Sequence, residues 1–452
     1  MRMKCDRRRF GLKMGTLAVS TALMAMVTPR ISLAARGETQ SNEIDRRIQQ
    51  VRTAPLEIRL LDQQGQAIAN QRVKIQHLRH LFNFGAAYQG DLNLLSSSTE
   101  NESELRHRQY FLQLFNAATI TFYWRSYEPQ EGQYADAALL EQIAALKQYH
   151  FYLRGHPLFW NHNPACLPTW LENRQLTSQE VRSHMDRLLK HLSEVIFPQL
   201  DEVDVFNELV HWDNYAHPFT DLFKEQGKLS LVKDYLTQFK ALNPQVKAVI
   251  NDYVASPDYA EMLKKFQDNG VPFDQIGQQT HMFLFRENWS SQRLSEITSR
   301  LFALAKPLVF TEVSVLSGAN KQDIDFSRVY TDWKSDPENE QKQADYLEFF
   351  YRFAFSYPQI TGVFLWSFSD RGAWLGAPTG ILYQDGNPKP AFTRLNHLIN
   401  QTWRTNVELF TDHNGYAIIP HAYEGEYKII IGDRSVTGKH TQKHPLQSTI
   451  FS

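Results

Sequence analysis

Residues 177–208 read TSQEVRSHMDRLLKHLSEVIFPQLDEVDVFNE, and this stretch contains a helical pattern followed by a strand pattern. Thr177 and Glu180 form a capping box, which predicts the start of a helix. The apolar residues that follow lie on one face of that helix: Val181, Met185, Leu188 and Leu192. The stretch ends in the short apolar run Val203–Phe206, which is typical of a buried strand. It therefore predicts a helix that leads directly into a strand.

The same alternation continues on both sides of this unit. Helical patterns, such as those at Leu139–Leu146, Tyr259–Phe266 and Gln341–Ser356, separate eight short β-branched or aromatic runs. The eight predicted strands are Leu81–Ala87, Ala118–Phe122, Phe151–Arg154, Val203–Phe206, Ala248–Asn251, Gln275–Gln279, Leu308–Thr311 and Gly362–Trp366. Eight strands and their helices over roughly 320 residues predict an α/β fold, a (β/α)8 TIM barrel, whose usual size is about 250 residues plus insertions. A doubly wound open sheet is the alternative, but the glycine-rich loop expected after its first strand is absent from the sequence.

Small β elements are predicted on either side of the barrel, which we place at residues 81–404. In residues 36–80, a linker precedes apolar–polar alternation over Leu56–Leu61 and Gln71–His77, a pattern that predicts a β-hairpin. Residues 405–452 also alternate and contain turn signals, which predicts a small C-terminal β appendage.

Residues 1–35 resemble a secretory signal peptide. Arg7–Arg9 precede the apolar run Met14–Val27, and small residues end at Ala35. The paired arginines before Phe10 resemble a bacterial twin-arginine export signal. The apolar run is shorter than the roughly 20 residues that a membrane span needs. We therefore expect export to the periplasm or the medium without membrane attachment; the alternative is a basic N-terminus ahead of a buried helix.

Charge and cysteine content exclude several classes of protein. The 452 residues carry a net charge of −1, but residues 1–35 are basic, and the remaining chain has 41 basic and 48 acidic residues, a net charge of −7. This balance argues against a nucleic-acid binder. Only Cys5 and Cys166 are present, which excludes a disulfide scaffold and a cysteine-rich metal site. We predict no cofactor, and the sequence leaves the oligomeric state open.

Two glutamates are the first candidates for chemistry, because barrel enzymes carry their active sites at the C-terminal ends of the strands. Glu208 ends DVFNE and Glu312 ends LVFTE, each directly after an apolar strand. Paired carboxylates suit glycoside hydrolysis, in which one donates a proton to the leaving oxygen and the other attacks the anomeric carbon or activates water. The alternative is that each is merely a solvated residue at a strand end.

Neighbouring residues extend this hypothesis. Asn207 could hydrogen-bond a sugar 2-hydroxyl, and His281 could orient the second glutamate. Trp366 and Trp374 could pack under a sugar ring, although either could instead be a core residue. Neither His156 with His162 nor His211 with His217 has the helical zinc spacing, and HExxH is absent, so we predict no metal site; a metallohydrolase stays a minor alternative.

The motifs together resemble those of glycoside hydrolase family 10, the retaining endo-β-1,4-xylanases. The matching segments are FNFGAA (82–87), EPQEGQY (128–134), RGHPLFW (154–160), DVFNE (204–208), INDY (250–253), QTH (279–281), FTE (310–312), LWSFSDRGAW (365–374) and GNPKPAF (386–392). The resemblance implies an endo-1,4-β-xylanase that acts on xylan or a related β-glycan.

The resemblance also implies residue roles. Glu208 is the expected general acid/base and Glu312 the expected nucleophile of a double displacement, with carboxyl groups about 5–5.5 Å apart. Burial and the negative nucleophile should then raise the pKa of Glu208. Contacts with the polysaccharide are implied for His156, Trp160, Asn207, Tyr253, Gln279, His281, Trp366 and Trp374.

The sequence departs from the family pattern in two segments and at one single residue. The Asn-Glu-x-Lys cluster after the second strand is replaced by TITFYWRSYEP (119–129), where Tyr123 and Arg125 are candidates to take its place. Asn161–Asn163 stand where the family has His and Gln, and Ser314 stands where it has Asp. A polysaccharide-binding barrel without activity, and a retaining β-glycanase for another polysaccharide, are therefore the alternatives.

Overall fold

The computed structural model describes residues 33–88, 101–162, 166–172 and 174–451. Nearly all of the predicted export signal, residues 1–35, lies outside the described residues. The chain divides into two compact units, residues 1–43 and 44–452, and the fold described below is that of the second unit. Among the helices described, none combines the length and the apolar character needed to cross a membrane.

Strands and helices alternate through most of the chain. The strands are β1 Thr53–Leu61, β2 Arg72–His80, β3 Asn83–Tyr88, β4 Ala117–Thr121, β5 Tyr152–His156, β6 Glu202–Asn207, β7 Lys247–Asp252, β8 Gln275–His281, β9 Leu308–Ser314, β10 Ile360–Leu365, β11 Val407–Phe410, β12 Tyr416–Tyr423, β13 Gly425–Ile431, β14 Arg434–His440 and β15 Gln447–Phe451. The helices are α1 Leu33–Arg52, α2 Glu102–Leu114, α3 Trp124–Tyr127, α4 Asp136–Gln148, α5 Ser178–Val195, α6 Pro218–Gln226, α7 Lys228–Leu242, α8 Pro257–Asp268, α9 Ser291–Phe302, α10 Pro337–Phe355 and α11 Pro390–His397.

Strands β3 to β10 form a closed parallel barrel, in which β10 pairs with β3 to complete the ring. Each of the eight predicted strands corresponds to one of these barrel strands, so the predicted (β/α)8 barrel is confirmed and the open doubly wound sheet is wrong. Helices follow the strands, and the capping box of Thr177 and Glu180 begins α5 as predicted. The strands β6 and β9 are buried along their whole length, although β6 contains Glu202 and Asp204 and β9 contains Glu312.

The strands outside the barrel form two further sheets, with the orders β12-β1-β15 and β11-β2-β13-β14. The predicted hairpin of β1 and β2 is wrong, because β1 pairs with β12 and β15, whereas β2 pairs with β11 and β13. One apolar cluster joins the two sheets: Leu56, Ile58, Leu60, Val73, Ile75, Ala417, Ala422, Tyr427 and Ile429. The N- and C-terminal β elements therefore share one core.

Candidate active site

All ten predicted site residues line a single cavity of about 540 Å³ at the C-terminal ends of the barrel strands. This volume is within the usual range for small-molecule sites. The ten residues are His156, Trp160, Asn207, Glu208, Tyr253, Gln279, His281, Glu312, Trp366 and Trp374. They come from the ends of β5 to β10 or from the loops that follow, and the closed barrel brings these ends together.

Glu208 is the first residue after β6, and its backbone leaves the extended conformation there. Its φ of 61° is unusual for a residue other than glycine, and such strain costs about 1–3 kcal/mol. Its backbone N–H donates to the Asn251 carbonyl at 2.8 Å, which holds the turn in place. The turn contributes a carboxylate to the cavity directly from the end of a fully buried strand.

The surroundings of Glu208 favour the protonated acid. Trp160 Nε1 donates to Oε2 at 3.0 Å and Gln279 Nε2 donates to Oε1 at 3.2 Å; these two hydrogen bonds lower the pKa of Glu208, but the effects that raise it are larger. Burial, followed by repulsion from Asp252 and Glu312, raises the pKa of Glu208 to about 8. The side chain is therefore protonated at neutral pH and can serve as a proton donor.

Glu312 lies within β9 and is buried, but its neighbours favour the ionised form. Asn251 Nδ2 donates to Oε1 at 2.8 Å, and His281 Nε2 lies 3.1 Å from Oε2. Burial alone would raise the pKa of Glu312, but His156, His281 and Asn251 together lower it below its ordinary value. The cavity thus contains one protonated and one ionised carboxyl group.

Amide side chains connect the two carboxylates. Asn251 Nδ2 also donates to Asn207 Oδ1 at 2.8 Å, and Asn207 Nδ2 lies 3.4 Å from Glu208 Oε1. The position of Asn251 depends on Gly277 in the next strand, because a Cβ there would lie 2.5 Å from Asn251 Oδ1. The sequence motif INDY includes Asn251, but no role for it was predicted.

Ser314 takes the place of the acidic partner that the family pattern led us to expect beside His281. Its Oγ lies 2.9 Å from His281 Nδ1, on the side of the ring opposite Glu312. A hydroxyl can donate to a neutral imidazole as well as accept from it. With Nδ1 facing the Ser314 hydroxyl, Nε2 of His281 is the ring nitrogen that can donate to Glu312.

His156 contacts a buried network of charged side chains. Its Nδ1 lies 2.7 Å from Asp204 Oδ2, and Arg154 pairs with Asp204 and Glu202 at 2.5 and 2.9 Å. The ligand atoms of His156, Asp204 and Glu312 lie within 4.8 Å of one another, which is close enough to hold a cation. Because Asp204 is already paired with Arg154 and His156, we assign these three residues no metal-binding role.

The cavity is also lined by five residues for which the sequence analysis predicted no definite role. They are Tyr123, His162, Tyr215, Leu284 and Phe326. Of the two candidates to replace the absent Asn-Glu-x-Lys cluster, Tyr123 lines the cavity, whereas Arg125 pairs with Glu172 and is not part of the lining. The Tyr123 ring lies 5.8 Å from that of His156 and 5.9 Å from that of Trp160, between centroids.

The residues Asn161–Asn163, which stand where the family has His and Gln, lie in different surroundings. His162 lines the cavity and stacks on Trp160, with ring centroids 4.8 Å apart. Asn161 is buried, and its Nδ2 donates to the Trp212 carbonyl and to Thr220 Oγ1. Asn163 lies outside the described residues. Tyr215 and Phe326 come from the loops after β6 and β9, where no motif indicated them.

Comparison with known proteins gives relatives of low identity. The chain is 24% identical to anti-sigma-I factor RsgI6 of Acetivibrio thermocellus over 432 residues, which are 93% of this chain and 50% of that protein. It is 24% identical to endo-1,4-beta-xylanase 2 of Arabidopsis thaliana over 314 residues, which are 67% of this chain and 25% of the relative. The chain thus spans half or less of the length of these relatives.

Solved structures share the barrel. Native xylanase 10B from Thermotoga maritima superposes with a TM-score of 0.58 at 19% identity, covering 71% of this chain and 96% of that one. Xylanase 10B from Thermotoga petrophila, solved with xylobiose, gives the same score, identity and coverage of this chain, and 95% of its own chain is covered. At 19% sequence identity, these similarities support a shared fold and no more.

The family model for glycosyl hydrolase family 10 matches residues 79–398, which include every barrel strand and both cavity carboxylates. The barrel, the ten predicted residues in one cavity and this match agree, and the chain belongs to glycosyl hydrolase family 10.

Proposed function

We propose that this protein is a retaining endo-1,4-β-xylanase in which Glu208 is the general acid/base and Glu312 is the nucleophile. The observation that supports this most is the opposite direction of the two pKa shifts in one cavity: the pKa of Glu208 is raised to about 8 and that of Glu312 is lowered. Retaining glycosidases need this division between a protonated and an ionised carboxyl group.

In the first step, the ionised Glu312 attacks the anomeric carbon of the bound sugar. Glu208 gives its proton to the glycosidic oxygen, the bond between that oxygen and the anomeric carbon breaks, and the shortened chain leaves as an alcohol. The products are a glycosyl ester on Glu312 and an ionised Glu208. Asn207, next to Glu208, can hydrogen-bond the sugar 2-hydroxyl as positive charge develops on the ring.

In the second step, Glu208 acts as the base. The ester carries no charge, so the repulsion that Glu312 exerted on Glu208 is gone and the pKa of Glu208 falls from its raised value. Glu208 takes a proton from water, the water oxygen bonds to the anomeric carbon, and the bond to Glu312 breaks. Both carboxyl groups return to their starting states, and the sugar keeps the β configuration.

Xylan is the proposed substrate because relatives named as xylanases align with 61–67% of this chain. Besides the Arabidopsis protein, endo-1,4-beta-xylanase 1 of Humicola insolens is 26% identical over 295 residues. The cavity wall suits pyranose rings, since Trp160, Trp366 and Trp374 line it together with the two carboxyl groups. A related neutral β-glycan is the second candidate, because Tyr123 replaces a polar cluster of the family at this wall.

The purified protein should be incubated with xylan, glucan and mannan, and the products followed by NMR. We expect xylooligosaccharides whose new reducing ends first appear as the β anomer. Glu208→Ala and Glu312→Ala variants should release almost no sugar. Turnover that is unaffected by both substitutions would contradict the mechanism, products in the α form would indicate inversion, and binding without hydrolysis would favour the polysaccharide-binding alternative.

We also propose that residues 1–35 are a twin-arginine export signal, supported by the basic, apolar and small-residue segments of the sequence. The full chain should be expressed in a bacterium with this export route, beside an Arg8→Lys, Arg9→Lys variant. The parent protein should accumulate in the periplasm or medium, and the variant should stay in the cytoplasm. Equal export of both proteins would contradict the proposal.

A further inference from the structure

Two exposed aromatic side chains lie side by side at one end of the cavity. Phe326 is 58% exposed and Trp374 is 36% exposed, and both belong to the cavity lining. Their ring centroids are 6.1 Å apart, with an angle of 34° between the planes. Large apolar side chains left in water next to a binding cavity indicate a contact surface for a ligand.

The loop that carries Phe326, residues 315–336, is fixed to the loop that carries Trp374. Tyr330 N donates to the Leu375 carbonyl at 2.8 Å, and Asp325 N donates to the Tyr330 hydroxyl at 2.7 Å. The backbones are so close that a Cβ on Gly376 would lie 2.2 Å from the Tyr330 carbonyl oxygen. The backbone on both sides of Phe326 is thus ordered before any ligand binds, which lowers the entropic cost of binding.

A series of rings leads from the nucleophile to this surface. His281, which bonds Glu312, lies 5.1 Å from Trp374 between ring centroids, and Phe326 is the next ring outward. A sugar chain whose reacting unit lies at Glu312 can therefore place a further unit over Trp374 and Phe326.

The charge of the cavity selects a neutral ligand. Its lining, among the residues that the structure describes, contains two carboxylates but neither lysine nor arginine. The Arg328 guanidinium near this end stacks on the Tyr330 ring at 4.4 Å and is not part of the lining. An acidic sugar would be repelled by the ionised Glu312 without a lysine or arginine in the lining to compensate, whereas the apolar face of a neutral pyranose fits an aromatic ring.

We propose that Phe326 and Trp374 form an outer sugar-binding platform, which takes a neutral pyranose unit of the same β-1,4-linked chain that reacts at the carboxylates. This inference rests on the proposed glycanase function and adds a specificity determinant to it. Phe326 is the residue that makes the platform, because its ring extends the aromatic surface beyond Trp374 into solvent.

The test measures binding by calorimetry in the full-length Glu312→Gln protein, with linear β-1,4-xylooligosaccharides of increasing length. Two further variants are made in this Glu312→Gln parent: Phe326→Ala and, as a matched control, Val329→Ala. Val329 is on the same loop outside the cavity, and its side chain is 69% exposed. We expect Phe326→Ala to weaken binding of the longer chains about 3- to 10-fold and that of the shortest chain hardly at all. Phe326→Tyr should restore binding, and Val329→Ala should match the parent.

Two results would overturn the platform. One is length-dependent binding by the parent that Phe326→Ala leaves unchanged, and the other is an equal loss in Val329→Ala. Either result leaves the proposed hydrolytic function in place. A parent that binds no xylooligosaccharide of any length contradicts both the platform and the assignment to xylan.

Discussion

Glu208 and Glu312 are both buried in the same cavity, yet their surroundings differ in charge. Glu208 receives hydrogen bonds from the neutral donors Trp160 and Gln279 and lies near the carboxyl group of Asp252. Glu312 lies near the imidazoles of His156 and His281. Burial raises the pKa of both carboxyl groups, so it cannot by itself distinguish them. The neighbours do so, because they leave the raised pKa of Glu208 in place and reverse the effect at Glu312.

This difference follows from the position of each residue on its strand. Glu312 lies inside β9, where the adjacent β8 supplies His281 and β7 supplies Asn251. Glu208 lies one residue past β6, in a turn with positive φ, where Gln279 reaches it from β8 and Trp160 from the loop after β5. Two glutamates at the same end of one barrel can therefore have opposite roles, because one lies within its strand and the other lies one residue past the end of its strand.

Replacement of the nucleophile should have the largest effect. In Glu312→Ala the covalent intermediate cannot form, so hydrolysis of xylan should fall by about 10⁴-fold or more. Steady-state kinetics on xylan measure the loss, and a melting curve checks that the variant is folded. A variant that keeps a tenth of the parent activity would show that another group attacks the sugar.

Replacement of the acid should have a smaller effect that depends on the substrate. Glu208→Ala should slow hydrolysis of xylan by about 10²–10⁴-fold, because the leaving oxygen receives no proton. Aryl xylosides with acidic leaving groups need no proton in the first step, so that step should be nearly normal. A burst of phenol followed by slow turnover is the expected signature, and an equal loss on both substrates would contradict the assigned role.

The pH dependence of activity tests the difference between the pKa values of Glu208 and Glu312 without removing either side chain. Activity requires a protonated Glu208, so kcat/KM should fall as the pH rises through about 8. It also requires an ionised Glu312, so the acid limb should lie below the ordinary pKa of a glutamate. Asp252→Asn removes a negative neighbour of Glu208, which lowers its pKa and moves the alkaline limb to lower pH. An unmoved limb in this variant would mean that Asp252 does not tune Glu208.

Ser314 should have the smallest effect, since it acts on Glu312 only through His281. Ser314→Ala removes one hydrogen bond to the ring and should lower kcat/KM about 2- to 10-fold. Ser314→Asp should instead favour the imidazolium, lower the pKa of Glu312 further and extend the acid limb. Measured pH profiles of the two variants, which leave Glu208 untouched, separate this tuning from a general loss of activity; identical acid limbs would contradict it.

The barrel and the carboxylates could be predicted because their signals are local. The barrel strands were predicted from short β-branched or aromatic runs, and Glu312 lies within one of the strands while Glu208 directly follows another. The hairpin prediction failed because alternation identifies a strand but not its partner. Leu56 pairs with Ile419, at the other end of the chain, and no local pattern records that pairing.

The missed site residues have a similar explanation. Phe326 and Tyr215 lie in loops, where no periodicity relates a side chain to the cavity. The role of Asn251 depends on Gly277 in β8 and on Glu312 two strands away, so it emerges only when the barrel closes. Its motif was visible in the sequence, but its contacts were not.

The division of labour between the carboxylates can be tested most directly by trapping the intermediate. The protein should be treated with a 2-deoxy-2-fluoro-β-xylobioside that carries a good leaving group, because the fluorine slows hydrolysis of the glycosyl ester. Mass spectrometry of the digested protein should find the sugar on the peptide that contains Glu312, attached to that residue. A label on Glu208, or steady hydrolysis without any covalent species, would contradict the account.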